Sequence, residues 1–487
     1  MNCIVVGGGV GGLASAIRLA AAGHQVQLFE ANAYLGGKLS TFELGPYRFD
    51  AGPSLFTMPQ LVTELYALCG QDPAEFPYSR KDIGCHYFWE DGTRLQAHAD
   101  RQQYLDHVQQ VLGVEPRVLG AYLDQAAQKY QLTASLFLEQ SLHRLDTWLS
   151  GDTLRAMARL GSLELFSSLH QVNERHLREP HLVQLYDRFA TYNGSDPYRT
   201  PGIMSLIQHL ESHYGTFIPR HGMGQIRDAL EQLARQQGVQ IHLSAPVERI
   251  VIESGRAVGV QVGGERVAAE AVVSNMDIVP TYRRLLPDQP APEATLSQER
   301  SSSALIFYWG MDRSYPQLGL HNILFSDDYR GEFEALFSGR MHPDPTVYVN
   351  ITSKDVPQDA PPGHENWFVM VNAPHDKGQD WEGMREQTRE RTLTKLERVL
   401  DAPIRDHIAV EDTLDPPTIQ SRTGSHLGAL YGAASNDQSA AFLRHPNFSR
   451  RLDGLYFVGG SVHPGGGLPL CLLSARIVAE LVGPARP

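Results

Sequence analysis

The sequence predicts an α/β fold: a Rossmann-like dinucleotide-binding domain interleaved with a substrate domain of antiparallel sheet and helices. Three observations carry that expectation. A strand, a glycine-rich turn and a helix follow one another at the N-terminus, and a second glycine-rich segment joins a strand to a helix near the C-terminus. Between them, from about 285 to 410, strand-like runs alternate with polar turns. At 487 residues, 42% of them hydrophobic, the chain exceeds one ordinary core and can fill two.

The first turn justifies the dinucleotide. Ile4, Val5 and Val6 form a short buried strand that runs into Gly7-Gly8-Gly9-Val10-Gly11-Gly12, a GxGxxG spacing. Helix formers occupy Leu13 to Ala22, and Gly23 supplies a left-handed C-cap. A second strand, Gln25 to Phe29, ends in Glu30, whose carboxylate is placed to accept hydrogen bonds from both ribose hydroxyls. Gly7 and Gly9 let the backbone approach a pyrophosphate, Gly12 lets helix and strand pack closely, helix-end amides meet the negative charge, and Gly11 is counted with them as a cofactor-binding residue. An acid at position 30 disfavours a 2′-phosphate, and NAD and FAD both remain open at this point.

Two further segments bear on that choice. Leu35-Gly36-Gly37-Lys38-Leu39 and Phe49-Asp50-Ala51-Gly52-Pro53 resemble the extension of flavoproteins of the glutathione-reductase-like and amine-oxidase-like superfamily. The resemblance implies that Gly37, Lys38 and Gly52 lie beside the ribityl and phosphate groups of FAD. Arginine is usual at the basic position, and a lysine offers a point charge without the bidentate fork. An exposed turn lysine is the alternative reading.

After about residue 58 the pattern turns helical, with Leu61, Leu65 and Leu68 on one face and Leu160, Leu163 and Phe166 recurring every third residue. The stretch 59–221 is therefore expected to be an inserted, mostly helical segment. Gly222-Met223-Gly224-Gln225 opens an amphipathic helix to Gln236, and strands follow at 239–243, 247–252, 257–262 and 270–275. By the same resemblance, the backbone at Val247 meets the adenine; core packing is the alternative. Strands at 303–309, 346–351 and 366–371 suit an antiparallel sheet over a substrate pocket. The expected division is 1–58, 222–285 and 411–487 for the FAD-binding domain, with 59–221 and 286–410 as a substrate domain, membrane-facing by the family resemblance given below.

The C-terminal segment carries the redox argument. A buried strand at 455–458 leads into Gly459, Gly460 and a glycine-rich loop ending at Pro469, and a helix runs from Leu470 to Val482. A helix N-terminus there, with Gly459, Gly460, Pro469 and Leu470, can stabilise the negative charge that develops on a flavin ring as it is reduced. So much glycine in a purely structural loop costs entropy with no return.

Composition excludes several functions. A net charge of −13 with no basic run argues against a nucleic-acid partner. Cys3, Cys69, Cys85 and Cys471 form no metal-ligand spacing, so no metal is expected, and buried thiols in a reduced compartment are. No apolar run reaches the roughly 18 residues of a membrane span. The expected location is cytoplasmic; attachment to the inner face of the cell membrane is what the family resemblance given next implies.

Over nearly the whole chain, these motifs together with Tyr186 to Tyr198 and Gly215 to Pro219 resemble bacterial carotenoid desaturases of the phytoene desaturase type. Phe307 to Gly310, Leu320 to Ile323, Tyr348 to Ser353 and Gly459 to Gly467 are most similar to the hydroxycarotenoid 3,4-desaturase branch. The resemblance implies FAD-dependent removal of two hydrogens from a long polyene, a membrane-dissolved carotenoid substrate, peripheral attachment to a membrane surface, and quinone or oxygen as final electron acceptor. A phytoene desaturase, a carotenoid isomerase, an amine-oxidase-like flavoenzyme and a non-catalytic prenyl-lipid escort protein are the alternatives. Because the cofactor carries the difficult step, little is asked of side chains beyond positioning. His463 and Arg188 are the first catalytic candidates, ahead of Asp187, Tyr192 and Asp196. Arg188 in an ion pair with Asp187 or Asp196, and His463 bonded only to its own loop, are the structural alternatives.

Overall fold

The computed structural model describes residues 1–138, 140–141, 143, 164–437 and 443–485. Five strands form an all-parallel sheet in the order Leu455–Phe457, Ala271–Ser274, Asn2–Val6, Gln25–Phe29, Gln240–His242. The first strand shows why it reads as a continuous apolar run. Cys3 and Val5 enter one core and Ile4 and Val6 another, so both faces are covered. On the first face lie the helices Val10–Ala21, Gln60–Leu68, Gly224–Gln236 and Leu468–Val482. On the second lies an antiparallel three-stranded sheet, Val247–Glu253, Arg256–Val262 and Glu265–Ala268, which contributes Ile250, Ala257 and Val260 to the core.

The second body is a seven-stranded mixed sheet in the order Ile408–Leu414, Ser303–Met311, Glu365–Ala373, Val347–Asn350, His321–Leu324, Ile83–Phe88, Arg94–His98. All its pairings are antiparallel except that of His321–Leu324 with Ile83–Phe88. Alternation along Ser303–Met311 again feeds two cores. Leu305, Phe307, Trp309 and Met311 pack toward the helix Trp381–Leu400, while Ala304, Ile306 and Tyr308 pack on Tyr47 and Phe49. Ile408–Leu414 straddles the boundary expected at 410.

Among the described residues 59–221 is mainly helical, with Gln60–Leu68, Arg101–Leu112, Pro116–Phe137, Leu169–Leu177 and Pro180–Asp187, but it also holds four strands that were not expected, Tyr78–Arg80, Ile83–Phe88, Arg94–His98 and Phe217–Pro219. The hairpin had a legible signal, since Asp91-Gly92 lies between its strands and Gly92 takes φ +91°. In the helix Gln60–Leu68, Leu61 and Leu65 are buried and Leu68 is exposed. Leu160 and Leu163 lie outside the described residues, and Phe166 sits in a turn, 93% exposed, rather than on a buried helical face. Among the described residues no helix is long and apolar enough to cross a membrane. All four cysteines are free thiols; Cys3 and Cys85 are buried, whereas Cys69 and Cys471 are only half-buried.

Candidate functional site

The parallel sheet brings both glycine segments to its carboxyl edge. Gly7 takes φ +95° and its N–H donates to Phe29 O (2.8 Å), closing the strand end onto its neighbour. A Cβ built on Gly12 falls 2.0 Å from Gly7 O, so helix and strand are as close as glycine allows. The helix Val10–Ala21 starts from Gly9 with no side-chain cap, leaving its first-turn amides open at the mouth of the turn.

Glu30, buried at the end of the second strand, accepts from Gly8 N (2.7 Å) on one oxygen and from Asn32 N (2.8 Å) and Asn32 Nδ2 (2.9 Å) on the other. Three donors leave a carboxylate room for one more bond, so its first task here is to hold the turn. Gly36 and Gly37 lie on that turn: Gly36 N donates to Gly8 O (2.8 Å), and a Cβ on Gly37 would stand 3.4 Å from Gly9 Cα. Lys38 is no exposed turn residue. Its Nζ donates to Leu430 O (2.6 Å) and Ala429 O (3.4 Å), and burial pulls its ammonium down to about 8. Gly52 is pressed against the same loop, where a Cβ would fall 1.9 Å from Lys38 O. Val247 begins its strand at a β-bulge, two residues after Ala245 N donates to Glu30 O (2.9 Å).

The second segment meets the first through Asn275. Gly459 takes φ +105°, and a Cβ there would lie 2.7 Å from Asn275 Oδ1. The same amide stands within 4 Å of Cβ positions built on Gly7, Gly9, Gly11 and Gly12. Gly11 lies under Gly459, its built Cβ 3.2 Å from Gly459 Cα. Gly460 packs on Gly466, and Gly466 on Tyr431, the residue after the carbonyl that Lys38 holds. The helix Leu468–Val482 begins from Gly467 at φ +114°, also with no side-chain cap. Pro469 has no N–H to offer, and Leu470 supplies a first-turn donor.

His463 is buried, with its ring Nε2 donating to Gln140 O (2.8 Å) and its own carbonyl accepting from Asn447 Nδ2 (2.7 Å) and Ser474 Oγ (3.1 Å). Burial lowers its imidazole to about 4, so it is neutral near pH 7. Its ring therefore reaches across to the helical segment, not only to its own loop.

Arg188 belongs to a different neighbourhood. Its guanidinium donates to Tyr192 OH and Tyr87 OH (both 3.2 Å) and stands 3.6 Å from Glu211 Oε2. The carboxylate facing it is thus Glu211, not Asp187 or Asp196. Asp187 bonds His170 Nδ1 (2.7 Å) and Asn173 Nδ2 (2.8 Å), and Asp196 accepts from Tyr198 N (2.8 Å). The hydrogen bond to Asp187 raises the His170 imidazole, while burial pushes the Asp187 carboxyl up.

Sequence reasoning missed Asn275 as a site residue, along with Asn447 and Arg444. Arg444 is buried beside the glycine loop, donating to Tyr431 O (2.8 Å), and burial lowers its guanidinium to about 10. Only Asn275 had a signal, an amide ending a buried strand next to the first turn. Two uncapped helix starts, a glycine cradle closed by one side chain and spare capacity on Glu30 fit a bound flavin dinucleotide. Gly7, Gly9, Gly11, Gly12, Glu30, Gly459 and Leu470 are the groups that would hold it.

Comparison with known proteins follows the same line. Residues 10–483 match the model of the flavin containing amine oxidoreductase family. The chain is 50% identical over 482 residues, 99% of each chain, to a 1-hydroxycarotenoid 3,4-desaturase of Flavobacterium sp. (strain P99-3). It is 35% identical to a 4,4'-diapolycopene oxygenase of Methylomonas sp, covering 98% of this chain and 97% of that one. Among solved structures, an oxidoreductase from Methanosarcina mazei aligns with a TM-score of 0.64 at 17% identity, covering 99% of this chain and 100% of that one. Wild-type putrescine oxidase bound to putrescine also aligns at 0.64, with 16% identity and 99% coverage of both. These two show the shared fold.

Proposed function

The chain belongs to the flavin containing amine oxidoreductase family, and from that premise we propose that it is an FAD-dependent desaturase of an acyclic carotenoid, acting at C3–C4 of a 1-hydroxycarotenoid. The observation that carries the flavin half is the meeting of two glycine segments on Asn275. The full-length 50% identity to a 1-hydroxycarotenoid 3,4-desaturase supports the substrate half. Bound FAD supplies the two-electron acceptor for the C–H bond broken in desaturation.

The chain's own contribution is placement. The first helix offers amides to the pyrophosphate and Glu30 its remaining lone pair to a ribose hydroxyl, while Gly37, Lys38 and Gly52 line the ribityl side. The amide of Leu470, at the start of the C-terminal helix, would stabilise negative charge on a bound flavin ring, with Gly459, Gly460 and Pro469 shaping the approach. Val247 lines the adenine side. His463, neutral and bonded at both ends, holds the C-terminal loop against the helical segment, and Arg188 acts on the substrate side. Residues 1–58, 222–285 and 411–487 form the cofactor domain, and 59–221 and 286–410 the substrate domain. The five parallel strands fall in the first set, and six of the seven mixed-sheet strands in the second. Quinone or oxygen reoxidises the enzyme, and the protein meets its lipid-soluble substrate at a membrane surface, on which exposed Phe166 is an apolar contact.

Purified protein should be yellow and should shift the absorption of a liposomal 1-hydroxylated acyclic carotenoid to longer wavelength. A colourless protein that cannot be reconstituted with FAD refutes the reading. Amine turnover without polyene change replaces it with an amine oxidase.

A further inference from the structure

Arg188 stands on an aromatic wall between the helical segment and the mixed sheet. It is 8% exposed, its guanidinium carbon lies 4.6 Å from the Phe189 ring centroid, and its two hydrogen bonds, to Tyr87 and Tyr192, are long at 3.2 Å. Its Nε has no partner among the described residues. The facing carboxylate, Glu211, stops at 3.6 Å, beyond hydrogen-bond range, and its side chain stays 15% exposed. Burial pushes the Glu211 carboxyl above its ordinary value despite the cation.

A buried ion pair that only builds structure needs good geometry to offset desolvation, and this one lacks it. The pair is nevertheless electrically balanced, so a charged ligand gains nothing there. A neutral group that both accepts and donates does: its oxygen accepts a hydrogen bond from the guanidinium and its own O–H donates one to the carboxylate. The same wall reaches the proposed flavin side. His321 is 3% exposed, its Nδ1 lies 2.7 Å from Tyr348 OH, and Tyr348 OH lies 2.8 Å from Ser54 Oγ, two residues past Gly52. His321 Nε2 also has no partner among the described residues.

We propose that Arg188 and Glu211 form a hydroxyl-binding subsite that seats the alcohol end of the polyene and fixes which C–C bond is presented for desaturation. This rests on the carotenoid reading above and adds to it a residue pair that selects the hydroxylated substrate.

The test is equilibrium binding by dithionite-reduced holoprotein under nitrogen, which binds without turnover. The probes are a detergent-dispersed 1-hydroxylated acyclic carotenoid and the same polyene without the hydroxyl, read by quenching of tryptophan fluorescence. Wild type should prefer the hydroxylated probe by about tenfold, the worth of one charge-assisted hydrogen bond. Glu211→Ala should abolish the preference and leave affinity for the hydroxyl-free polyene within about twofold on the same scale. Glu211→Gln, which keeps an acceptor oxygen, should retain an intermediate preference, and it carries the test if flavin content shows that Glu211→Ala does not fold. Equal binding of both probes by wild type, or an equal loss for both in the variants, overturns the subsite and leaves the desaturase reading standing. If neither polyene binds, the desaturase reading falls and the subsite with it.

Discussion

Gly12→Ala tests the close approach on which the cofactor site depends. The added Cβ would fall 2.0 Å from Gly7 O, and on its other side it meets Asn275 Cβ and Nδ2 at 3.2 Å. The nearer neighbour is backbone of the turn itself, and the other is the packed Asn275 side chain that closes the glycine cradle, so no flexible side-chain end can swing away. The helix must lift from the strand by about 1 Å, an overpacking cost of about 1–3 kcal/mol. If that strain falls on the bound geometry, FAD affinity drops by a factor of about 5 to 150. Titrating apoprotein with FAD and following the fluorescence of free flavin gives the dissociation constant directly. Gly238→Ala is the control: Gly238 sits at φ +79° with nothing within 4 Å of its built Cβ. That substitution costs about 1–2 kcal/mol of fold stability through backbone conformation alone and should leave FAD affinity unchanged. Wild-type affinity in Gly12→Ala, or an equal loss in Gly238→Ala, refutes the reasoning.

Acid should destabilise the protein ahead of its carboxylates. Burial depresses His321 to about 3 and His445 and His463 to about 4, so the unfolded chain, titrating near 6.5, binds more protons in between. Their contribution is complete above pH 6.5 and is lost as pH falls toward 4, by up to about 2 kcal/mol per histidine at pH 5. Urea midpoints at pH 7.5 and 5.0 measure this, and His463→Gln should reduce the difference by one histidine's share. Asp50→Ala removes the acceptor for Met223 N (2.8 Å) and Gly224 N (3.1 Å) at the start of the helix Gly224–Gln236 and strips Arg48 of a partner at 3.0 Å. A loss of about 1–2 kcal/mol in chemical denaturation is expected. Asn447→Asp replaces the amide that donates to Phe457 O, His463 O and Ser474 Oγ with a carboxylate facing two carbonyls. Flavin content after gel filtration should fall; full retention would mean that Asn447 does not hold the loop. Lys38→Met should loosen 429–431 and weaken FAD binding, whereas wild-type affinity would leave Lys38 with no part in the site.

The elements that repeat a local signal were readable from the chain. Strand, turn and helix at 2–21 follow from four β-branched or apolar residues, six turn residues and a run of helix formers, and the sheet order around them places Glu30 beside Gly8. The strands at 247–253 and 256–262 likewise follow from alternation with a turn between them. What failed was non-local. Ile83–Phe88 joins the mixed sheet by parallel pairing with His321–Leu324, over two hundred residues away, and only its Asp91-Gly92 turn is written locally. Arg188 was readable as a candidate, but its carboxylate partner was not. Asp187 and Asp196 are near in sequence, whereas Glu211 arrives by the path of the chain through 188–214.

Asn275 shows why the two glycine segments are one device. Each alone is an uncapped helix start, and an uncapped start is satisfied equally well by water. The amide ends the strand Ala271–Ser274, which lies between the strands that lead into the two turns, so the sheet order itself delivers it to both. With side chains at positions 9, 11 and 459 the amide would be displaced, because built Cβ atoms there lie 2.7–2.8 Å from it. Glycine at these three positions therefore answers to Asn275 as much as to any ligand. The separation of the two helix starts is then fixed by a packed side chain on a rigid sheet rather than by a loop. A dinucleotide that must be gripped at one end while its ring gains electrons at the other requires that rigidity, since a shift of either helix start would move charge-stabilising amides away from the group they serve.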